Sequence, residues 1–200
     1  MEKEQRATPF RGHAMDRRVR KSQRAILEAF VGLLAEKDFA HITMNDIAER
    51  ADVNRGTVYL HYVDKFDLLD HCIDTHLAHL LEDCLPGGTL SHPTKAALLR
   101  VFAYLEQHAF LYSTLLVNKG IIPTFRNRLM AVMVESLRAY FDASGIPPDM
   151  NKEVSAQFLA SAAVGVLEWW ITQSMPYSPT EMVEHLWALG ERVGVPYVSA

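Results

Sequence analysis

Asn54-Arg55-Gly56-Thr57, with Tyr59 and His61 just beyond, concentrates hydrogen-bonding groups at the start of one short segment. An arginine there can donate bidentately to guanine, and Thr57 can touch a thymine methyl group or a phosphate. Gly56 costs about 1 kcal/mol inside a helix, a penalty that close approach to a DNA backbone would offset. Thr43, Tyr59, His61 and Lys65 suit phosphate oxygens, contacts that set orientation and carry no base information. The chemistry implied is reading of a duplex, not the making or breaking of bonds.

Two short amphipathic helices must hold these groups. Thr43, with Asp46 at the capping-box position, starts one, and Asn54 caps the next. Ile47, Ala48, Val53, Val58 and Tyr62 are spaced to pack the pair on each other and on a preceding helix, with Ala48 small at the crossing. Position 52 lies in the intervening turn, where a left-handed backbone is often needed; Asp tolerates it, though glycine would cost less. The spacing predicts a helix-turn-helix reader.

The chain has 200 residues, 49% hydrophobic and 22% charged, with net charge −4. Residues 1–24 hold eight Lys and Arg against three Asp and Glu, a net +5, which leaves −9 for residues 25–200. A basic leading edge on an acidic body is what docking on phosphate through one end requires. Arg17, Arg18 and Arg20, with Lys21 and Arg24, read either as a solvated helix start or as groups that graze phosphate or thread into the minor groove.

Almost every segment carries the helical period, and none alternates at period two, which predicts an all-α fold of about nine helices. Residues 1–15 read as a flexible basic arm, 16–63 as the helix-turn-helix domain and 64–200 as a helical regulatory and dimerisation domain. Asp64 caps a fourth helix, Pro93 opens a fifth after a loop at 86–92, Asn151 begins a long one, and Ser178-Pro179-Thr180-Glu181 is a full helix-start signature. No signal-peptide pattern and no long apolar run are visible, so a cytoplasmic protein is expected, with no membrane partner.

Cys72 and Cys84, if on one helix, lie roughly 18 Å apart, too far to bridge. Cys72 and His76 have metal-ligand spacing, and they also fall on or beside an apolar stripe where cysteine behaves as a small hydrophobe. No metal and no cofactor is assigned. Residues 86–200 carry no Gly-rich phosphate loop, zinc-binding CxxC pair or serine elbow, so no enzyme is expected.

Across roughly residues 22–70 the chain resembles the N-terminal domain of the TetR/AcrR family of transcriptional regulators. The matching residues are Thr43, Asp46-Ile47-Ala48, Ala51, Val53, Gly56-Thr57-Val58-Tyr59, His61-Tyr62, Lys65 and Leu68-Leu69. Asp52 and Leu60 depart from the family's usual glycine and polar residue. Tyr104 to His108, Phe110-Leu111-Tyr112, Leu115-Leu116, Lys119-Gly120, Glu168-Trp169-Trp170 and Ser178 to Glu181 resemble the C-terminal type of dihydroxyacetone-kinase regulators.

The resemblance implies a ligand pocket and a dimer interface from the last two long helices. Candidate pocket residues are Phe102, Tyr112, Phe125, Leu129, Met133 and Trp169, each also readable as plain core. Candidate interface residues are Phe158, Ala162, Val166, Trp170, Met182, Leu186 and Leu189, with the small run Ala160 to Gly165 permitting close helix approach or facing the protein's own core. The implied partners are a palindromic double-stranded DNA operator, a second copy of the chain and an unknown small-molecule effector that releases DNA, with repression the expected sign. A coactivator of the same fold, acting through a protein partner, is the alternative.

Overall fold

The computed structural model describes residues 11–84, 94–146 and 150–193. Among them are nine α-helices, one 3-10 turn and no strand. The expected arm is described only from Arg11, where helix α1 (Arg11–Glu36) already begins. The expected loop at 86–92 and the Pro93 helix start lie outside the described residues.

The chain divides into two compact units, 1–70 and 71–200. In the first, α1 presents Ile26, Ala29, Phe30, Leu33 and Leu34 on one buried stripe, the three-and-four spacing of an amphipathic helix. A 3-10 turn (Phe39–His41) leads to α2 (Met44–Arg50) and α3 (Arg55–His61). Thr43 Oγ1 accepts from the Asp46 N–H at 3.2 Å, while Asp46 Oδ2 accepts from the Thr43 N–H at 2.8 Å. Lys37 first, then the Thr43 N–H and hydroxyl, hold the Asp46 carboxyl down to about 2. Between α2 and α3, Asp52 has φ 52°, the left-handed backbone expected of this turn. Ile47, Ala48, Val58 and Tyr62 are buried where the two helices pack.

Gly32 was not singled out from sequence. A Cβ there would stand 2.8 Å from Arg50 Nη2, so the bare position on α1 lets Arg50 cross the helix to Glu36.

The unit boundary falls at 70 rather than at 63, because the first turns of α4 (Lys65–Cys84) belong to the reader's core through buried Leu68 and Leu69. Asp64 Oδ1 caps α4, accepting from the N–H groups of Phe66 at 2.8 Å and Asp67 at 2.9 Å.

The second unit holds the rest of α4, then α5 (Lys95–Gln107), α6 (Ala109–Val117), α7 (Ile122–Ser144), α8 (Lys152–Thr172) and α9 (Pro179–Val193). Thr94 caps α5 by accepting from the Ala97 N–H at 3.1 Å. The break between α5 and α6 falls on His108, a residue with no breaker chemistry of its own. Its Nδ1–H donates to the Tyr104 carbonyl at 2.9 Å, beside the 3.0 Å bond from its own backbone N–H, and its ring stacks on Tyr104 at 4.1 Å.

Helices α7 and α8 pack through Val134, Tyr140, Phe141, Ala156 and Ala160, and Met133 fills in against this cluster. Ser178 Oγ and Glu181 Oε2 form the reciprocal cap of α9, with 2.8 Å from the Ser178 N–H to the carboxylate. Helix α8 is long and apolar enough to pass a length-and-composition test for crossing a membrane, as buried helices of soluble cores also do.

Candidate nucleic-acid interface

Helix α3 buries one face and offers the other. Val58 and the C-capping Tyr62 are buried and Thr57 and His61 half-buried, while Arg55, Gly56, Tyr59 and Leu60 are exposed. Arg55 is the first helical residue, and its Nη2 donates to the Tyr59 hydroxyl at 3.3 Å with the guanidinium 5.3 Å from the ring centroid. This pairing of residues four apart reduces the rotamer freedom that an arginine would lose on meeting a base edge. Asn54 Oδ1 caps the helix by accepting from the Gly56 N–H at 2.8 Å. A Cβ on Gly56 would stand 3.3 Å from that oxygen, so the cap itself gives a reason for the glycine, besides the DNA approach expected from sequence.

Three expected phosphate contacts are engaged within the protein. Lys65 Nζ donates to the carbonyls of Phe39 at 2.9 Å, Ala40 at 3.0 Å and Ile42 at 3.0 Å, which occupies all of its ammonium protons. It is a clamp between the start of α4 and the turn before α2, a different engagement from the phosphate contact expected of it. Ser22 Oγ gives its single proton to the Val19 carbonyl at 2.8 Å, so His61 Nε2–H donates to that oxygen at 2.9 Å and ties α3 to α1. The Thr43 hydroxyl donates to Asp46 at 2.8 Å within the α2 cap. His61 thus ties α3 to α1, while Thr43 secures the start of α2. Arg17, Arg18 and Arg20 are exposed on α1. A helix of that width cannot follow the narrow minor groove as an extended arm does.

In the second unit, Tyr112, Phe125 and Leu129 converge with Leu80 of α4, Leu105 and Ile171 on an apolar slot of about 10 Å³, bordered by the Arg126–Glu168 ion pair at 3.3 Å. Three expected pocket residues lie elsewhere. Phe102 packs edge-on against Trp170 at 5.0 Å, Met133 joins the α7–α8 cluster, and Trp169 is 45% exposed. The two adjacent tryptophans face opposite surroundings. Trp170, expected at an interface between copies, is 0% exposed and donates from Nε1 to the Tyr177 carbonyl at 2.8 Å. Trp169 instead borders an open groove of about 570 Å³ with Val166, Met182, Leu186 and Leu189, four of the expected interface residues. Phe158 and Ala162 are exposed on α8.

Among the described residues no three His, Cys, Asp or Glu side chains converge as a metal-binding set. Burial pushes the Cys72 thiol up to about 12, which suppresses the reactive thiolate. Burial, then the neighbouring His79 and His108, pushes His76 down to about 4. A histidine neutral in the fold and titrating near 6.5 when unfolded stabilises fully above pH 6.5 and loses that stability as pH falls toward 4. Urea midpoints at pH 7 and pH 5 are expected to drop in the wild type, and to drop less in His76→Gln. Equal drops in both would contradict this assignment.

Comparison with known proteins completes the site. Residues 26–72 match the model described as "Bacterial regulatory proteins, tetR family", and residues 93–190 match a "Transcriptional regulator C-terminal region" model. The chain belongs to the TetR family of transcriptional regulators. Its members are DNA-binding helix-turn-helix regulators and not enzymes. This TetR-family chain is 24% identical over 169 residues to an uncharacterised HTH-type regulator of Bacillus subtilis (strain 168), YxbF; the match covers 82% of the chain and 43% of that relative's length. A solved TetR regulator from Streptococcus agalactiae 2603V is 25% identical with TM-score 0.69, over 88% of this chain and 97% of that one. The dihydroxyacetone kinase operon activator DhaS shares the fold at 18% identity and TM-score 0.63, over 84% and 93% of the two chains.

Proposed function

We propose that this TetR-family regulator acts in the cytoplasm as a homodimeric repressor of a palindromic operator, released by a small apolar effector. The exposed face of α3 carries the reading: Arg55 and Tyr59 project from a helix whose other side is locked by buried Val58 and by the His61–Ser22 bond. Two such helices, one from each copy, would enter successive major grooves about 34–36 Å apart. A dimer seated there would occlude a promoter, which favours repression. The contrasting sign, or action through a protein partner, is the second reading, and the shared fold of an operon activator favours it.

The dimer is supported by α8 and α9. A Cβ on Gly165 would meet nothing within 4 Å, so its own protomer gives no reason for a mid-helix glycine costing about 1 kcal/mol. Close approach of a second copy's helix supplies one, and Phe158, Trp169 and Leu189 would lose their exposure in the same step. Regulation is supported by Leu80, which places α4 in the wall of the narrow apolar slot. An effector that widens the slot must move Leu80, and α4 begins at the Lys65 clamp behind the reader. Release by 100- to 1,000-fold requires roughly 3–4 kcal/mol of differential affinity.

Phe158→Glu with Leu189→Glu tests the assembly, because both side chains are exposed in the protomer and their loss does not disturb its core. Sedimentation is expected to show a folded monomer that binds a single operator at least about 100-fold more weakly, since half the contacts are lost. A dimer of unchanged affinity would contradict the α8–α9 interface.

A further inference from the structure

The most exposed large apolar residue among those described is Leu60, at 83%, and it lies on α3, not on the body. It shares the outward face with Arg55, Gly56 and Tyr59, while Thr57, Val58 and His61 turn inward. Residues four apart on a helix stand one above the other, so Leu60 follows directly on Gly56. Arg55 and Tyr59 are paired with each other. The outward face therefore has two halves, a polar half at Arg55 and Tyr59 and an apolar half formed by Leu60 above the bare Gly56 backbone.

A leucine has no donor or acceptor and cannot bind a phosphate; pressed against one, it would only strip its water. Of the groups on the major-groove floor, the thymine 5-methyl is the apolar one that projects far enough to pack against an isobutyl group. Adenine, guanine and cytosine edges present donors and acceptors that an isobutyl group would leave unpaired. The missing side chain at Gly56 lets the helix backbone approach, which brings Leu60 within reach of the groove floor.

We infer that Leu60 is a specificity-determining residue that packs on a thymine methyl group, beside the base met by Arg55, in each operator half-site. The inference rests on the reading of α3 as the recognition helix. It assigns to the apolar half of the face a base that the basic residues cannot select, because Arg55 reads guanine edges and Tyr59 has no methyl-seeking chemistry.

The test uses the full-length chain and a duplex selected by it from random-sequence DNA. Each thymine pair related by the operator dyad is replaced by deoxyuridine, which removes the methyl and nothing else. Affinities are measured by fluorescence anisotropy for the wild type, Leu60→Ala and Arg55→Ala. For the wild type, one symmetric thymine pair is expected to matter, by about fourfold per half-site and about 15-fold for both, corresponding to roughly 0.8 kcal/mol per buried methyl. Leu60→Ala is expected to bind the thymine operator more weakly and to be indifferent to that replacement. The exposure of Leu60 keeps the fold out of the comparison, and matching thermal melts check this. If Arg55→Ala weakens binding but Leu60→Ala does not, or no thymine loses its influence in Leu60→Ala, the inference is overturned and the recognition helix stands. If Arg55→Ala binds as the wild type does, or no duplex is selected, the recognition reading itself fails.

Discussion

Arg55→Ala combined with Tyr59→Ala is expected to lower operator affinity by about 100- to 1,000-fold, with thermal melting moved by only about 2 °C. Both residues are exposed, and their mutual contacts are a 3.3 Å hydrogen bond and a 5.3 Å cation–ring approach at the surface. Exposed substitutions of this kind usually change stability within about 0.5 kcal/mol. A base contact, by contrast, is worth about 1–3 kcal/mol and is made twice by a dimer. Anisotropy and a melt on the same preparation separate the two effects. A variant that melts normally and binds normally would remove α3 from the interface.

Lys65→Met is expected to act in the opposite order, on the fold first and on DNA only through it. The ammonium group satisfies three carbonyls from the turn that delivers the chain to the Thr43 cap, and it lies 4.8 Å from the Phe39 ring centroid. Methionine keeps the length and removes all three charge-assisted bonds, a loss of about 2–4 kcal/mol. Urea unfolding should show a lower midpoint at unchanged slope, since the same surface is exposed on unfolding. Operator affinity should fall while the dependence of log K on log salt keeps its slope, because no phosphate contact has been removed. A stable variant with a salt slope shallower by about one per protomer would make Lys65 a phosphate ligand after all.

The contrast between these residues shows which parts of the molecule can be read in the chain. Arg55 and Tyr59 were legible because a helix cap at Asn54 and the helical period suffice to place them outward. The caps at Thr43, Asp64 and Ser178 were legible for the same reason, since each bond reaches only two or three residues along the chain. Lys65 was not, because the carbonyls that hold it lie 23 to 26 residues earlier, and a lysine beside a reader looks the same whichever oxygen it meets. His61 is fixed by Ser22, 39 residues away.

The body was less legible than the reader. Helix α8 is apolar around much of its circumference, so adjacent Trp169 and Trp170 could not be told apart until the Tyr177 carbonyl, beyond the end of α8, took the Trp170 indole N–H. The slot gathers residues from five helices, and Leu80, Leu105 and Ile171 among them are marked by neither polarity nor spacing. The break between α5 and α6 falls on His108, which composition does not mark as a helix end.

Guanine N7 methylation protection tests most directly whether the outward face of α3 occupies the major groove in two copies. The probe is the duplex selected by the full-length chain, treated with dimethyl sulfate with wild-type protein or Arg55→Ala. The structure leads us to expect protected guanines in two major grooves about one helical turn, 34–36 Å, apart on one side of the duplex, and their exposure in Arg55→Ala. Protection that persists unchanged in Arg55→Ala, or protection limited to minor-groove adenine N3, would contradict the account.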